Sequence, residues 1–545
     1  MPVADQPGQR SHTRGPNRPL LELTIGDLLH RTAGRYPERL AVASRHQSRR
    51  MTWAQLSDAA DRVARGLWSL GIRRGDRVGL WSTNCMEWVM LHMGCARAGA
   101  ALVNVNPAYR SHELSFTLAR SRMKALFLWH QDKRADYQEI LGRACHGLSH
   151  DLEHTIYFDS PEWPAFLDAE GRLPAQVAAN DIANIQYTSG TTGMPKGVML
   201  THHNVVNNGQ FLAQGFHYTA QDRVVVPVPL FHCYGCVIGT MSAVNSGAAL
   251  ILPNWTFDPR ATLLAVHDER ATSVYGVPAM YVAEFALPDF AAFDLTSLRT
   301  GMMSGAPCPV ELMKRVLNEM HIAELVIAYG QTETSPVVTM SDAADPLDIR
   351  VTTVGRAMPQ TEIKIISTIT GATIPRGEQG EICAHGYAIM KGYDGDPEGT
   401  AQVIQPDGWL RTGDLGILRE DGCLHLTGRS RDVIIRGGEN IYPREVEEFL
   451  YTHPKVGEVQ VVGIPHERLG EIVVAWIRLR PGQTTTEEEI RAFCQDQIAY
   501  YKVPEHVRFV DEFPATLSGK IQKYKIREFE IEARGLQAVA KTATA

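Results

Sequence analysis

Residues 187–197, YTSGTTGMPKG, combine the residue types that bind phosphate groups. The run contains three glycines, at which the backbone can turn its N–H groups toward an anion. Hydroxyl donors stand between the glycines, and one lysine supplies a counter-charge. The residues concerned are Thr188, Ser189, Gly190, Thr191, Thr192, Gly193, Lys196 and Gly197. The run therefore predicts a loop that holds the phosphates of a nucleotide, and a flexible linker rich in glycine and serine is the alternative.

The spacing within this run differs from that of a Walker A loop. A Walker A loop has glycine directly before its lysine and serine or threonine directly after it. Here Pro195 precedes Lys196 and Gly197 follows it. The sequence therefore disfavours the enzymes that use such a loop to transfer a phosphoryl group.

A second segment, AYGQTETSP at residues 328–336, carries groups that could complete a nucleotide site. Tyr329 could stack on a purine, and Glu333 offers the oxygen ligands that Mg²⁺ prefers. The segment follows a predicted strand at residues 325–328, and open α/β sheets bind ligands at such strand ends. Upstream, the small residues of MSGAP at residues 303–307 would let a flat base lie against the backbone. A solvated turn is the alternative interpretation of Glu333.

Asp414 and Lys520 are the remaining candidates for chemistry. WLRTGDLG at residues 409–416 predicts a glycine turn, from which the Asp414 carboxylate could accept both hydroxyls of a ribose. An Asx turn is the alternative there. In LSGKIQK at residues 517–523, Lys520 follows a flexible glycine and could swing toward a distant anion. A solvated surface lysine is the alternative for Lys520.

Hydrophobic periodicity predicts the elements that position these groups. From residue 24 to about 328, strand patterns alternate with helical ones, which is typical of a parallel or mixed sheet with helices on both faces. Residues 354–427 predict a smaller β-rich subdomain, and the residues after 428 predict a compact α+β unit. Capping-box spacings, Thr52 with Gln55 and Thr485 with Glu488, predict two helix starts.

We therefore expect an α/β protein of more than one core, because 545 residues exceed the roughly 250–300 that one core supports. The expected order is a disordered tail at residues 1–18, a large N-terminal domain at 19–428 and a small mobile C-terminal domain at 429–545. The N-terminal domain would contain the α/β subdomains and the β-rich subdomain.

Composition excludes several classes of function. The net charge of −7 is spread without long blocks of one sign, so nucleic acid is not an expected partner. No apolar run approaches the ~20 residues of a membrane span. Residues 1–18 lack the apolar core of a secretory signal, and a transit peptide is the alternative there.

Cysteine usage favours a reducing compartment, which we take to be the cytoplasm. The nine cysteines are sparse and show no paired spacing for zinc. Cys233 and Cys236 form a CxxC within an apolar stretch in the middle of the chain. A redox role for this pair is the alternative.

Five runs in their order along the chain resemble the adenylate-forming superfamily of acyl-CoA synthetases, luciferases and peptide-synthetase adenylation domains. The runs are YTSGTTGMPKG, AYGQTE, WLRTGDLG, GRSRDVIIRGGENIYP and SGKIQK. The resemblance covers roughly residues 24–530, and its C-terminal third looks most like the medium-chain fatty acyl-CoA synthetases. It implies an enzyme that activates a carboxylic acid as acyl-AMP and passes the acyl group to coenzyme A. ATP, Mg²⁺ and coenzyme A are the cofactors and co-substrates so implied.

The resemblance also implies roles for single residues at the nucleotide. Residues 188–196 would hold the β- and γ-phosphates, Thr332 would contact the α-phosphate, and Glu333 would support Mg²⁺. Lys520 would bridge the acyl carboxylate and the α-phosphate in the first half-reaction. The residues implied at the adenine are Ala306 and Tyr329, and those at the ribose are Asp414 and Arg429.

Domain movement is implied by three further positions. Arg431 matches the hinge about which the small domain turns, and Gly437 and Gly438 match the loop that lines the pantetheine channel. The family usually has Asp or Lys at the position of Arg431, so the rate of turning or the resting conformation could differ.

The substrate is less constrained than the reaction. His232, in PLFHCYG at residues 229–235, matches an acyl-pocket gate in the family, and a core histidine is the alternative. The neighbourhood lacks the aspartate with which amino-acid-activating relatives pair a substrate ammonium, and its small apolar residues favour a medium-chain fatty acid. An aryl acid, a carrier-protein acceptor and a non-catalytic nucleotide-binding module remain alternatives. The oligomeric state is open between a monomer and a homodimer.

Overall fold

The computed structural model has the expected mixed α/β architecture, with a large N-terminal part and a small C-terminal one. For Arg429, Glu439 and Asn440 only the backbone is described. No helix in the described ranges is long and apolar enough to cross a membrane. The described residues are 10–133, 135–173, 176–188, 195–306, 308–429, 432–436, 439–466, 468–495, 497–498, 500–516 and 519–537.

The first part of the chain alternates strands and helices, as its periodicity predicts. The elements are β1 (His12–Arg14), α1 (Ile25–Arg35), β2 (Leu40–Ser44), β3 (Arg49–Thr52), α2 (Trp53–Ser69), β4 (Arg77–Trp81), α3 (Met86–Ala98), β5 (Ala101–Val105), α4 (Ser111–Ser121), β6 (Ala125–Leu128), α5 (Tyr137–Cys145), β7 (His154–Tyr157), α6 (Glu162–Leu167), β8 (Ile182–Thr188), β9 (Lys196–Thr201) and α7 (His202–Gly215).

The middle part continues the alternation and then becomes rich in strands. A π-helix spans Tyr234–Met241, and 3₁₀ turns span Phe290–Ala292 and Thr332–Thr334. The other elements are β10 (Arg223–Val225), α8 (Ser242–Ser246), β11 (Ala249–Leu252), α9 (Pro259–Glu269), β12 (Ser273–Gly276), α10 (Pro278–Phe285), β13 (Thr300–Ser304), α11 (Val310–Glu319), β14 (Glu324–Tyr329), β15 (Thr339–Met340), α12 (Leu347–Thr352), β16 (Arg356–Ala357), β17 (Thr361–Ile366), β18 (Gln379–Gly386), β19 (Gly392–Tyr393), α13 (Pro397–Val403), β20 (Leu410–Leu418) and β21 (Leu424–Arg429).

The last part forms the compact α+β unit. It includes a 3₁₀ turn at Tyr500–Lys502. Its elements are β22 (Ile434–Arg436), β23 (Glu439–Ile441), α14 (Pro443–Tyr451), β24 (Val456–His466), β25 (Gly470–Leu479), α15 (Glu487–Cys494), β26 (His506–Phe509) and α16 (Lys523–Ala533).

Local capping explains where two of the helices begin. Thr52 caps α2: its hydroxyl accepts from the Gln55 N–H, and the Gln55 side chain accepts from the Thr52 N–H, so this predicted capping box is confirmed. For α15 the prediction is wrong by one residue. Thr486, not Thr485, is the cap, and its hydroxyl accepts from the N–H of Glu489. In this run of threonines and glutamates, Thr485 with Glu488 and Thr486 with Glu489 have the same spacing, so the sequence alone does not identify which threonine is the cap.

Two parallel sheets carry the predicted nucleotide site. The first sheet has the order β19-β9-β8-β5-β4-β6-β7, and its strands from β8 to β7 are parallel. The second sheet has the order β16-β15-β14-β13-β12-β10-β11-β2-β3, with parallel strands from β14 to β2. Helices cover both faces of such sheets, so their strands are buried on both faces, as β5 is. The carboxyl ends of β8, β13 and β14 lead directly into the motifs.

The third sheet, β1-β17-β18-β20-β21, is antiparallel and is the β-rich subdomain. Its edge strand β1 corrects the prediction of a disordered tail up to residue 18. His12 bonds Glu362 through a ring nitrogen at 2.9 Å, and the Ser11 N–H donates to the Ile374 carbonyl at 2.8 Å. This short polar strand is therefore ordered by pairing with β17. Residues 1–9 lie outside the described part of the chain.

The fourth sheet belongs to the C-terminal unit and has the order β23-β22-β25-β24, with β26 paired to β25. The third sheet ends at Arg429 and the fourth begins at Ile434. The predicted domain boundary between residues 428 and 429 thus lies one residue before the end of β21.

Candidate active site

The phosphate-loop run joins the two strands of a hairpin in the first sheet. β8 ends at Thr188 and β9 begins at Lys196, and these two residues are paired across the antiparallel ladder. The two ends of the run therefore lie side by side, where β8 ends and β9 begins. Its residues Ser189, Gly190, Thr191, Thr192 and Gly193 lie outside the described residues, so their contacts with phosphate stay a prediction.

Lys196 and Glu333 approach each other from different sheets, and Tyr393 lies between them. The Lys196 ammonium is 4.7 Å from the centroid of the Tyr393 ring. The Tyr393 hydroxyl donates to Glu333 Oε1 at 2.8 Å. Burial and the nearby Glu333 carboxylate raise the pKa of Tyr393, so its hydroxyl keeps its proton and remains a donor. The two predicted phosphate- and metal-binding groups are therefore brought together.

Thr332 is fixed by a tight turn directly after β14. The Thr332–Thr334 3₁₀ turn follows Gln331, whose N–H donates to the Thr334 hydroxyl at 3.0 Å. Thr332 is buried, and its hydroxyl lies 3.6 Å from Cys233 Sγ. The second sheet thus presents Thr332 to the segment that contains His232.

Tyr329 and Asp414 are joined directly. The Tyr329 hydroxyl donates to Asp414 Oδ2 at 2.8 Å, and both residues are buried. Asp414 does not lie in the predicted glycine turn but within strand β20, opposite Arg429 of β21. Gly413, with φ of 72°, gives β20 an irregularity that interrupts its register with β18. An irregularity in strand β20, and not a turn, therefore determines the position of the Asp414 side chain.

The adenine-side residues meet at the ends of neighbouring parallel strands. β13 and β14 pair through Ser304 and Ala328, and the Ser304 hydroxyl donates to the Ala328 carbonyl at 2.6 Å. Ala306 therefore follows β13 beside the strand end that carries Tyr329. Arg429 is placed opposite Asp414 through its backbone.

Lys520 reaches this cleft from the C-terminal unit. A Cβ built on Gly305 would lie 3.8 Å from Lys520 Cε, and a Cβ built on Gly519 would lie 2.8 Å from Val277 Cγ2. Gly519 has φ of 78°, a conformation that favours glycine. The hairpin turn around it is closed by the Thr516 N–H, which donates to the Lys520 carbonyl at 2.8 Å. A glycine thus lets the Lys520 loop lie flush against the N-terminal part.

His232 lies within the electrostatic reach of Lys520. Its Nδ1 accepts from the Tyr234 N–H at 3.2 Å. Burial, and secondarily the Lys520 ammonium, lower the pKa of His232 to about 3, so the ring is neutral at neutral pH. A neutral imidazole beside the ammonium suits a position that faces a substrate carboxylate.

Cys233 and Cys236 are free thiols. Burial raises the pKa of both, although the Lys520 ammonium partly opposes this for Cys233. The amide of Gln186 donates to Cys236 Sγ at 3.1 Å. Protonated, buried thiols are poor nucleophiles, which disfavours a redox role for the pair.

The donor set fits a magnesium ion that enters with a nucleotide. Mg²⁺ is commonly held by one or two carboxylates together with substrate phosphates. Glu333 supplies such a carboxylate, of which the Tyr393 bond uses one oxygen. Within the described ranges, no group of three or more His, Cys, Asp or Glu could hold a metal ion by itself. The remaining ligands would come from phosphate and water.

Not every predicted position can be placed, and one group in the site was not predicted. Arg431, Gly437 and Gly438 lie outside the described residues, so the hinge and the channel loop stay predictions. Tyr393 was not predicted. It stands between Gly392 and Asp394 with no local pattern that marks it as functional, and its contact with Glu333 joins residues 60 positions apart.

Comparisons with known proteins agree with this geometry. A model of the AMP-binding enzyme family matches residues 29–394, and a model of the AMP-binding enzyme C-terminal domain matches residues 445–520. YngI of Bacillus subtilis (strain 168), whose name assigns it to the acyl-CoA synthetases, is 44% identical over 95% of this chain and 99% of its own. Medium-chain acyl-CoA ligase ACSF2 of Mus musculus is 41% identical over 93% of this chain and 88% of its own.

A solved structure extends the likeness to the fold. The crystal structure of the anthranilate CoA ligase AuaEII with anthranoyl-AMP superposes with a TM-score of 0.84 at 28% identity. The match covers 94% of this chain and 98% of that one. The chain therefore belongs to the AMP-binding enzymes of the adenylate-forming superfamily, in the acyl-CoA synthetase branch.

Proposed function

We propose that this protein is an ATP-dependent acyl-CoA synthetase that acts on a medium-chain fatty acid. The carboxylate attacks the α-phosphorus of ATP, pyrophosphate leaves, and acyl-AMP forms. The coenzyme A thiol then attacks the acyl carbonyl, and AMP leaves. The observation that carries the proposal is the position of Lys520, which reaches from the C-terminal unit to Gly305 and the surroundings of His232.

The first half-reaction joins two anions, so its main requirement is charge neutralisation in a fixed geometry. In this proposal Lys520 lies between the carboxylate and the α-phosphate, while Lys196, on the first sheet, meets the other phosphates. Thr332 offers a hydroxyl at the same cleft. When bound at Glu333, Mg²⁺ would withdraw charge from the phosphate oxygens. Asp414 and Arg429 hold the ribose in this proposal.

The second half-reaction needs a different arrangement. In this proposal the Lys520 loop must leave the cleft before the thiol can attack the acyl carbonyl. We therefore infer that the domain at residues 429–545 turns about Arg431 between the half-reactions. Gly437 and Gly438 would then line the path of the pantetheine arm.

The acyl substrate is assigned from the surroundings of His232. The Lys520 cation acts on this imidazole. Tyr234, two residues further on, donates to the Met302 carbonyl at 3.1 Å, and Met302 and Val237 are buried and apolar. A substrate ammonium there would remain unpaired at high cost. The name of mouse ACSF2, a medium-chain acyl-CoA ligase, supports a medium-chain acid for this chain as well. The cysteines of the present chain are free and mostly buried, which suits the reducing cytoplasm, where we place the protein.

An aryl acid is the second candidate, because AuaEII is an anthranilate CoA ligase. Pyrophosphate release should be measured with acids from acetate to palmitate, plus benzoate and coumarate. The proposal expects the highest kcat/KM with medium-chain acids and thioester formation only when coenzyme A is present. Preference for an aryl acid would favour the second candidate. No pyrophosphate with any acid would overturn the assignment of the reaction.

A further inference from the structure

Tyr393 is held on the first sheet by the residue that follows it. The Asp394 N–H donates to the Gly197 carbonyl at 2.7 Å, directly beside Lys196. The Asp394 carboxylate receives two N–H bonds from Arg77, at 2.7 and 2.9 Å. These bonds tie the backbone after Tyr393 both to β9 and to the start of β4. The backbone that bears the Tyr393 ring is therefore held in a fixed position.

A second anchor strengthens this support. The Arg120 guanidinium donates to the carbonyl of Asp394 at 3.2 Å and to that of Gly395 at 2.6 Å. Arg120 lies on α4, which packs on the first sheet, so three different elements hold the same short segment. Such redundancy restrains the position of the Tyr393 ring.

The segment also holds Glu333, which lies in the 3₁₀ turn after β14 of the second sheet. The Met390 N–H donates to the backbone carbonyl of Glu333 at 2.9 Å, and the Tyr393 hydroxyl donates to its carboxylate at 2.8 Å. Main chain and side chain of Glu333 are thus both bonded by the segment from Met390 to Tyr393. A hydrogen bond to a charged acceptor is about twice as strong as a neutral one, and the side chain bond is of this kind.

The same ring contacts Lys196, the opposite charge. The ammonium lies 4.7 Å from the ring centroid, within the range of a cation–π interaction. Lys196 and Glu333 would otherwise be free to pair with each other, and a paired lysine neutralises phosphate less well. A neutral ring that binds one charge by its face and the other by its hydroxyl keeps both oriented toward the cleft.

We propose that Tyr393 is a positioning residue that holds the Glu333 carboxylate and the Lys196 ammonium apart, so that each meets its own part of Mg²⁺·ATP. It touches neither the acyl group nor the reacting phosphorus in this role. The hydroxyl acts on the metal side through Glu333, and the ring acts on the phosphate side through Lys196. The inference rests on the proposed function, because it requires an ATP site between these residues.

Two substitutions separate the two contacts. Tyr393→Phe keeps the ring under Lys196 but removes the bond to Glu333, whereas Tyr393→Leu removes both. Binding of a non-hydrolysable ATP analogue should be measured by calorimetry, once with Mg²⁺ and once with EDTA. We expect Tyr393→Phe to weaken binding about 10-fold with Mg²⁺ and to leave binding in EDTA unchanged. Tyr393→Leu should weaken binding in both conditions, by about 5-fold in EDTA.

Tyr218→Phe is the matched control for loss of a buried phenol. Tyr218 is 8% exposed, against 7% for Tyr393, and its hydroxyl bonds Ser273 at 2.6 Å within the core. Its substitution should lower stability without changing the dependence of binding on Mg²⁺. Equal behaviour of Tyr393→Phe and Tyr218→Phe would overturn the inference.

A double-mutant cycle keeps the test decisive if Tyr393→Phe is less stable. Glu333→Ala alone and together with Tyr393→Phe should give strongly non-additive losses of Mg²⁺-dependent binding, because the Tyr393 hydroxyl acts on the metal side only through the Glu333 carboxylate. Additive losses would contradict the inference. If the wild-type protein fails to bind the Mg²⁺·analogue complex at all, the proposed function fails instead, and the two failures are thereby distinguished.

Discussion

Gly519 of the C-terminal unit lies so close to Val277 of the N-terminal part that one added methyl group would be 2.8 Å from Val277 Cγ2. The next residue, Lys520, lies at ordinary van der Waals distance from Gly305, where an added Cβ would be 3.8 Å from Lys520 Cε. The lysine loop therefore packs against Val277 only because residue 519 lacks a side chain. This contact ties the position of the Lys520 ammonium to the packing between the C-terminal unit and the N-terminal part.

Gly519→Ala should slow the first half-reaction by about 10-fold, because overpacking of this kind costs roughly 1–3 kcal/mol. The added Cβ pushes the Lys520 loop away from Val277. Pyrophosphate exchange measures the adenylation rate. Thioester formation from supplied acyl-AMP should fall much less, since that step does not need the loop in its seat.

Gly482→Ala is the control for backbone strain. Gly482 has φ of 76°, close to the 78° of Gly519, but a Cβ there meets open space. Both variants carry the same left-handed strain, and only Gly519→Ala carries the clash. The double variant Gly519→Ala with Val277→Ala should recover part of the lost rate. If the Gly482 variant loses adenylation equally, strain rather than contact is responsible.

Lys520→Ala should lower adenylation by about 10²–10³-fold, the range measured when one preorganised electrostatic group is removed. Conversion of supplied acyl-AMP to the thioester should persist. Both half-reactions can be followed separately by pyrophosphate release and by chromatography of the acyl-CoA. Lys455→Ala is the control, because Lys455 lies in the same unit but pairs with Glu489 far from the cleft. Loss of both half-reactions in Lys520→Ala would contradict the assigned role.

The sequence was sufficient for the architecture, because it follows from local patterns, and it identified the motifs of the nucleotide site, whose residue roles stay predictions. Strand and helix periodicity places β8 and β14 before the motifs, and the parallel arrangement brings their ends together. Asp414 shows where this reasoning fails. Locally its Thr-Gly-Asp surroundings favour a turn, but β18 and β21 pair with this stretch on both sides and make it a strand.

Contacts between distant segments account for the other differences. β1 is a polar triplet that becomes a strand because β17, some 350 residues away, offers an unpaired edge. Tyr393 acquires its proposed role from Lys196, on β9 of the first sheet, and from Glu333, in the turn after β14 of the second. The local sequence around Tyr393 does not indicate that it contacts either of these residues. Pairing of this kind is fixed only by the tertiary fold.

Acidification should destabilise the protein through histidines that are buried uncharged. Burial lowers the pKa of His92 and of His202 to about 4, whereas the unfolded chain titrates near 6.5. Between these values the unfolded state binds protons that the folded state does not, so the free energy of unfolding rises with pH across this window. Each such histidine costs about 2 kcal/mol at pH 5 relative to neutral pH.

His92→Met tests this dependence at a position remote from the ATP site. In the described residues His92 Nδ1 has no hydrogen-bond partner, so an apolar replacement loses little. The difference between the melting temperatures at pH 7.5 and pH 5.0 should be smaller in His92→Met than in the wild type. Substitution of the exposed His30 by Gln should leave that difference unchanged. An unchanged difference in His92→Met would show that the buried imidazole is not a source of acid sensitivity.

Asp414→Asn should weaken ATP binding about 10-fold, because an amide replaces the charged acceptor for the ribose hydroxyls. The same change leaves the Tyr329 hydroxyl with an acceptor, so the stability of the fold should alter little. The decisive measurement compares ATP with its 2′-deoxy and 3′-deoxy analogues. The wild type should discriminate against both analogues, and the variant should bind all three nucleotides with similar affinity, since the lost contact is the one that reads the hydroxyls. Asp407→Asn, at an exposed position before the same strand, is the matched control and should retain full discrimination. If Asp414→Asn weakened ATP and both deoxy analogues by one common factor, Asp414 would be supporting the strand and not the ribose.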